Sequence, residues 1–252
     1  MSRLEGKTAF VTGAGRGIGQ GIALALARAG ATVAIVDIAA EQAEQAAREI
    51  NDAVNGARAV AHACDIADRA AVFATMERFV AHAGGLDVLV NNAVYFHYAP
   101  LPDMPEEVVH RMIDVGIKGT IWVSQAAAKH LIARAGCVVN LSSVAVSFGI
   151  RNAAVYTSIK GALDALTRQQ AVELAPHKVR VNAIAPGPVE TPGASTVIDR
   201  AGWEARRNKT PIGRLATTDE LGAAVVYLAS DDARSVTGVT LKIDGGITLV
   251  GP

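Results

Sequence analysis

Tyr156 and Lys160 stand four residues apart in a stretch of helical composition, so both side chains project from one helix face. A free tyrosine ionises near pH of about 10 and is a poor base at neutrality. An ammonium beside it favours the phenolate, and this pairing predicts that Tyr156 accepts and returns a proton with Lys160 lowering its pKa. Ser143 precedes Tyr156 by thirteen residues and closes an apolar run. Its hydroxyl is suited to hold a substrate oxygen on which charge develops.

A second group of residues suits a phosphate-bearing ligand. Thr12-Gly13-Ala14-Gly15-Arg16-Gly17-Ile18-Gly19 follows the first apolar run and opens a helical segment. Glycines there let the backbone turn sharply and approach a pyrophosphate, and the first N–H groups of the helix face the anion. Asp37 ends the second apolar run, 18 residues after Gly19. A carboxylate at that point accepts hydrogen bonds from adenosine ribose hydroxyls and repels a 2′-phosphate, which favours NAD over NADP. Arg16 pulls modestly the other way.

The elements that must position these groups alternate. Strands are expected at 8–12, 32–37, 57–63, 86–91, 137–142, 179–184 and 239–243, and helices at 17–29, 40–54, 68–83, 106–133, 153–175 and 217–230. Strict alternation implies parallel strands with crossover helices on both faces, an α/β fold of three layers. Nearly all-apolar strands such as 33–36 suit a sheet covered on both sides. Residues 185–216 break the rhythm with four of the nine prolines and a basic cluster. So long a connection predicts a substrate lid near 190–214 on a single domain spanning 1–252.

Composition sets the outer limits. Half of the 252 residues are hydrophobic and 19% are charged, so a large core is available. Lys and Arg balance Asp and Glu at 24 each, and no broad basic field points to nucleic acid or an anionic membrane. Cys64 and Cys137 cannot form a disulfide framework, have no metal spacing around them and read as buried small hydrophobes. With no signal-peptide pattern and no apolar run of spanning length, a cytoplasmic address is expected.

Taken in order, these residues resemble the short-chain dehydrogenase/reductase family over essentially the whole chain. The resemblance rests on Thr12–Gly19, Asp37, Asp65, Asn91-Asn92-Ala93, the Ser143, Tyr156 and Lys160 set, Pro186-Gly187 with Val189 and Thr191, and Asp244-Gly245-Gly246. It implies a Rossmann-type doubly wound sheet of seven parallel strands, usually in a homotetramer. It also implies hydride transfer between NAD(P) and a small alcohol or ketone. By that resemblance Gly13, Gly15, Arg16, Gly17, Ile18, Gly19, Asp37 and Ile38 hold the dinucleotide. Asp65 and Ile66 flank adenine, Asn92 and Ala93 line the ribose path, and Lys160 binds the nicotinamide ribose. Val189 and Thr191 hold the carboxamide, and Pro186 and Gly187 also contact the cofactor. The implied chemistry has Tyr156 exchange the hydroxyl proton while Ser143 steadies the oxygen.

Two positions depart from the family pattern. Gly116 stands where an Asn usually anchors a proton-relaying water, and ordered water is expected to replace that amide. Val94 stands where Gly is common, stiffening the loop near the nicotinamide. Val94, Tyr95, Phe96, His97, Phe148 and Trp203 are the expected substrate walls, with Tyr98 in the same aromatic run. In the lid, Arg200, Arg206, Arg207 and Lys209 face Asp199 and Glu204 in sequence, and either clamp an anion or form a solvated helix face. Two other functions remain open: an NADPH-dependent 3-oxoacyl-carrier reductase, and a catalytically silent NAD-binding sensor or scaffold, which Gly116 alone supports.

Overall fold

The computed structural model describes residues 3–250. Seven strands form one parallel sheet: β1 (Thr8–Thr12), β2 (Thr32–Asp37), β3 (Arg58–Ala63), β4 (Val88–Asn91), β5 (Cys137–Leu141), β6 (Arg180–Pro186) and β7 (Thr240–Ile243). Their order is β3-β2-β1-β4-β5-β6-β7. The chain reverses its direction of sheet growth between β1 and β4, which opens a crevice at the carboxyl ends of those strands.

Alternate residues of each strand feed two cores. Ala9, Val11, Val33, Ile35, Val88, Val90 and Val139 pack with helices α1 (Gly17–Arg28), α2 (Ala40–Ala53) and α8 (Thr218–Ala229). Phe10, Ala34, Val36, Leu89, Val138 and Val181 pack with α3 (Arg69–Ala83), α5 (Thr120–Arg134) and α6 (Ala154–Leu174). Burial on both faces explains why the strands read as unbroken apolar runs. On the first face α1 and α8 approach closely at glycines. A Cβ on Gly21 would come 2.5 Å from Thr218 Cβ, and one on Gly222 would come 2.5 Å from Ala25 Cβ. Cys64 and Cys137 are buried free thiols. No helix among the described residues is long and apolar enough to cross a membrane.

The expected elements all form, with shifted ends. β4 starts at Val88 rather than 86, after Asp87 has turned its buried carboxylate onto the N–H and hydroxyl of Thr8, at 3.0 and 3.1 Å. β6 runs on to Pro186, two residues further than expected. The basic connection contains a helix, α7 (Arg200–Lys209), capped by Asp199, whose carboxylate accepts the Gly202 N–H at 2.7 Å.

The larger correction concerns the expected helix at 106–133. It is α4 (Glu106–Ile113), a wider π-helical turn at Asp114–Gly119, and then α5. Gly116 and Gly119 lie in the widened turn, where it passes over other side chains without room for its own. A Cβ on Gly116 would sit 2.5 Å from Ile159 Cγ2, and one on Gly119 would sit 2.8 Å from Ile66 Cγ1. The space beside Gly116 thus belongs to an isoleucine methyl group, an apolar neighbour rather than the polar one expected for a water in place of the amide. Gly116→Asn should overpack this contact and destabilise the fold by about 1–3 kcal/mol. Adding Ile159→Ala should return part of that loss, and urea unfolding of the single and double variants checks both outcomes.

Candidate active site

The expected catalytic side chains meet where β5 ends and α6 begins. Lys160 is buried, and its Nζ donates to the Leu141 carbonyl at 2.6 Å, so the first turns of α6 are tied to the last residue of β5. Two residues beyond Leu141, Ser143 caps a short 3-10 turn (Val144–Val146), its Oγ accepting the Ala145 N–H at 3.1 Å. Tyr156 is one helical turn before Lys160, whose Nζ lies 5.8 Å from the Tyr156 ring centre. Behind Tyr156, Met112, Ile159 and Leu163 form a small apolar cluster that also takes in Phe96.

The electrostatics differ from the sequence expectation. Burial raises the Tyr156 pKa, and the neighbouring Ser143 hydroxyl acts against that rise. Burial also lowers the Lys160 pKa to about 8. In the ligand-free chain both groups therefore resist their charged forms, and the ammonium is aimed at a backbone carbonyl. The net shift of Tyr156 is upward rather than the expected lowering, with burial as its largest cause.

These groups open into a cleft of about 1320 Å³ that runs along the carboxyl ends of the strands. One half has the chemistry of a dinucleotide cradle. Gly13 and Gly17 have positive φ values of 62° and 60°, and a Cβ on Gly19 would strike the Gly13 carbonyl oxygen. The first turn of α1 has no side-chain cap and no acidic residue, so its N–H groups are left for an external anion. At the end of β2 the Asp37 carboxylate accepts the N–H groups of Gly15 at 3.0 Å and Ala39 at 3.1 Å. Asn92 lines the cleft, and its amide also braces the turn by donating to the carbonyls of Thr12 and Gly13, both at 2.9 Å.

Arg16, Ile18, Ile38, Asp65, Ile66, Ala93, Pro186, Gly187, Val189 and Thr191 line the same cleft. Gly15 stands just behind the lining, against Asp37. These residues fit a nicotinamide dinucleotide: a side-chain-free turn for the pyrophosphate, a fixed carboxylate for the ribose, and Thr191 facing Gly17 from the opposite wall. Sequence reasoning missed Arg111, which lines the cleft from α4 and pairs with Asp65 at 2.9 Å.

The other half is aromatic. Tyr98 packs edge-on against Tyr156 with ring centres 5.7 Å apart, and Phe96 lies 5.8 Å from Tyr98. Val94, Tyr95, Phe148 and Trp203 also line this half. His97 does not: it is exposed, and its neighbours Phe96 and Tyr98 take the inward positions instead. Tyr98, already marked by the aromatic run Tyr95–Tyr98, lines the cleft beside Tyr156. Lys209 and Arg206 reach the cleft from α7, whereas Arg207 pairs with Glu190 at 2.9 Å.

Comparison with known proteins agrees with this geometry. A family model described as enoyl-(acyl carrier protein) reductase matches residues 13–248. The chain is 41% identical to cis-4-hydroxycyclohexanecarboxylate dehydrogenase of Sinomonas cyclohexanicum and 39% identical to L-xylulose reductase of Bos taurus, each time over 97% of both chains. It superimposes with a TM-score of 0.91 on 3-ketoacyl-(acyl-carrier-protein) reductase from Brucella melitensis complexed with NADH, at 35% identity and covering 97% of this chain and 99% of that one. A doubly wound seven-stranded sheet, a nicotinamide-dinucleotide cradle and full-length likeness to such reductases and dehydrogenases together establish that the chain belongs to the short-chain dehydrogenase/reductase family.

Proposed function

We propose that this oxidoreductase uses NAD(H) and interconverts a small secondary alcohol and its ketone, the alcohol being carried on a compact and largely apolar body. The observation that carries the reading is the convergence of Ser143, Tyr156 and Lys160 at the mouth of the aromatic half-cleft. Bound nicotinamide supplies the two-electron donor or acceptor. The residues of the chain do the remainder. Ser143 holds the substrate oxygen by its hydroxyl, and Tyr156 Oη takes the proton of that oxygen in oxidation and returns it in reduction. Lys160 anchors the nicotinamide ribose and supplies positive charge beside the phenol. Phe96, Tyr98 and Phe148 press on the body of the substrate and keep water from it.

Asp37 supports NAD over NADP. Its carboxylate is held in place by two backbone N–H groups, so a 2′-phosphate would meet a charge that cannot turn away. The same carboxylate weighs against an NADPH-dependent acyl-carrier reductase. The assembled Tyr156, Lys160 and Ser143 set weighs against a silent sensor. The segment 190–214 serves as a lid on one domain spanning 1–252, since α7 brings Trp203 to the cleft wall. A homotetramer suits the edge strand β7, where Leu241 and the preceding Val239 are exposed. A reducing cytoplasm suits the two buried thiols.

Removing one phenolic oxygen should separate binding from chemistry. Tyr156→Phe is expected to lower kcat by about 10²–10⁴-fold while NADH binding, followed by fluorescence, is unchanged. Asp37→Ala should raise the NADP-to-NAD ratio of kcat/KM by about tenfold or more, equivalent to about 1.4 kcal/mol of relieved repulsion. Unchanged discrimination would place cofactor choice elsewhere. Because burial raises the Tyr156 pKa, the phenolate that oxidation needs grows with pH, so alcohol oxidation should accelerate from neutral into alkaline solution. Ketone reduction needs the protonated phenol and should be favoured on the acid side. Rate profiles in both directions check the sign.

A further inference from the structure

Charge is distributed unevenly along the cleft. Asp37 and Asp65 are the only carboxylates among its described lining residues, and both belong to the dinucleotide half. Arg16 lies in that half as well, as does Arg111, which is spent on Asp65. The substrate half is lined by Arg151, Arg206 and Lys209, and none of the three makes an ion pair among the described residues. On α7 the contrast is local. Arg207 points to Glu190 and is neutralised, while its neighbour Arg206 is kept on the cleft side without an acid. In a chain whose formal charge is zero, this is a local excess of one sign.

A second observation lies in the same corner. Trp203 is packed into the cleft wall and is 3% exposed. The Arg206 guanidinium lies 5.9 Å from the centre of the Trp203 ring and is steadied by a bond from Nη1 to the Gly202 carbonyl at 2.9 Å. It also acts electrostatically on Tyr98, the ring packed against Tyr156. Proton-exchanging phenol, intervening aromatic wall and unpaired guanidinium therefore follow one another along the cavity.

We infer that the substrate half of the cleft binds a ring-bearing hydroxy acid, whose carboxylate sits on Arg206 while its hydroxyl is presented to Tyr156. Arg151 and Lys209 add attraction at the rim. An oxyanion there satisfies the unpaired guanidinium, and the apolar ring between the two polar ends fits the aromatic wall. The inference rests on the dehydrogenase reading above for the hydroxyl end only; the carboxylate end stands on the unpaired cations.

The test uses the enzyme with NADH bound and two unreactive probes of one shape, cyclohexanecarboxylate and cyclohexanecarboxamide. Calorimetry should find the acid bound at least tenfold more tightly than the amide. Arg206→Gln should abolish that preference, whereas Arg207→Gln should keep it. In turnover of cis- and trans-4-hydroxycyclohexanecarboxylate, Arg206→Gln should raise KM tenfold or more with kcat within twofold. If Arg206→Gln folds poorly, salt decides on the unmodified enzyme: acid binding must weaken as ionic strength rises and amide binding must not. Equal binding of acid and amide, or an equal loss of both in Arg206→Gln, overturns the inference. Acid-selective binding with no oxidation of any alcohol keeps the anion subsite and overturns the dehydrogenase reading. Oxidation of neutral and acidic alcohols alike does the reverse.

Discussion

The hydrogen bond from Lys160 Nζ to the Leu141 carbonyl fixes the rest of the site. It joins a helix to the strand that leads into it across 19 residues of chain, and it does so in the interior, where an unpaired ammonium would be costly. With Lys160 held, the rotation of α6 about its axis is set, and Tyr156 one turn earlier has one direction left to face. With Leu141 held, Ser143 two residues on leaves the sheet at a fixed place. A single buried contact thus aligns side chains from the end of β5 and the start of α6, and the apolar cluster of Met112, Ile159 and Leu163 supports the phenol from behind. The same burial raises the Tyr156 pKa and lowers that of Lys160 to about 8, so near neutrality the phenol keeps its proton while Lys160 is still an ammonium.

How far the chain could be read from its residues depended on whether the cause was local. The strands were legible because two-sided burial writes itself as an unbroken apolar run, and β1 and β2 fall where expected. The glycine turn was legible because close approach of backbone to backbone leaves only glycine possible at Gly19. The break in the 106–133 helix was not legible. Within it Gly116 lies against Ile159, 43 positions away on a different helix, a contact to which helix propensity is blind. Arg111 escaped for the same reason, since nothing near it in sequence announces Asp65. The aromatic run at Tyr95–Tyr98 was found as a group but not resolved, because a loop has no period to say which side chain turns inward. The structure turns Phe96 and Tyr98 in and leaves His97 outside.

Gly116 also shows why a departure from a family pattern should be weighed with its neighbours. Taken alone, a glycine in place of an amide looks like a lost function. In the fold it is one half of a fit: Ile159 fills the place beside it, and the widened turn carries its carbonyl to the Thr120 hydroxyl, which donates at 2.9 Å. Ile159 lies between Tyr156 and Lys160 on α6, so the contact presses on the stretch of helix that carries both. The turn at 114–119 therefore helps to set the height of that stretch above the sheet by packing, whatever part it has in proton traffic.

The neutral composition of the chain conceals a strongly ordered charge pattern. Carboxylates at the ends of β2 and β3 stand where uncharged ribose and adenine would lie, and the pyrophosphate position is left to backbone N–H groups at the start of α1. Past Tyr156 the lining carries cations without acids. A ligand that spans the whole cleft therefore meets acceptors first, then donors, then a desolvated phenol beside an ammonium, then cations without acids. Each of these zones is set by a different strand end, and the parallel arrangement puts all the strand ends on one side. The sheet thus sorts charge along the cleft by strand order, and a substitution at one strand end can retune one zone while the others keep their sign.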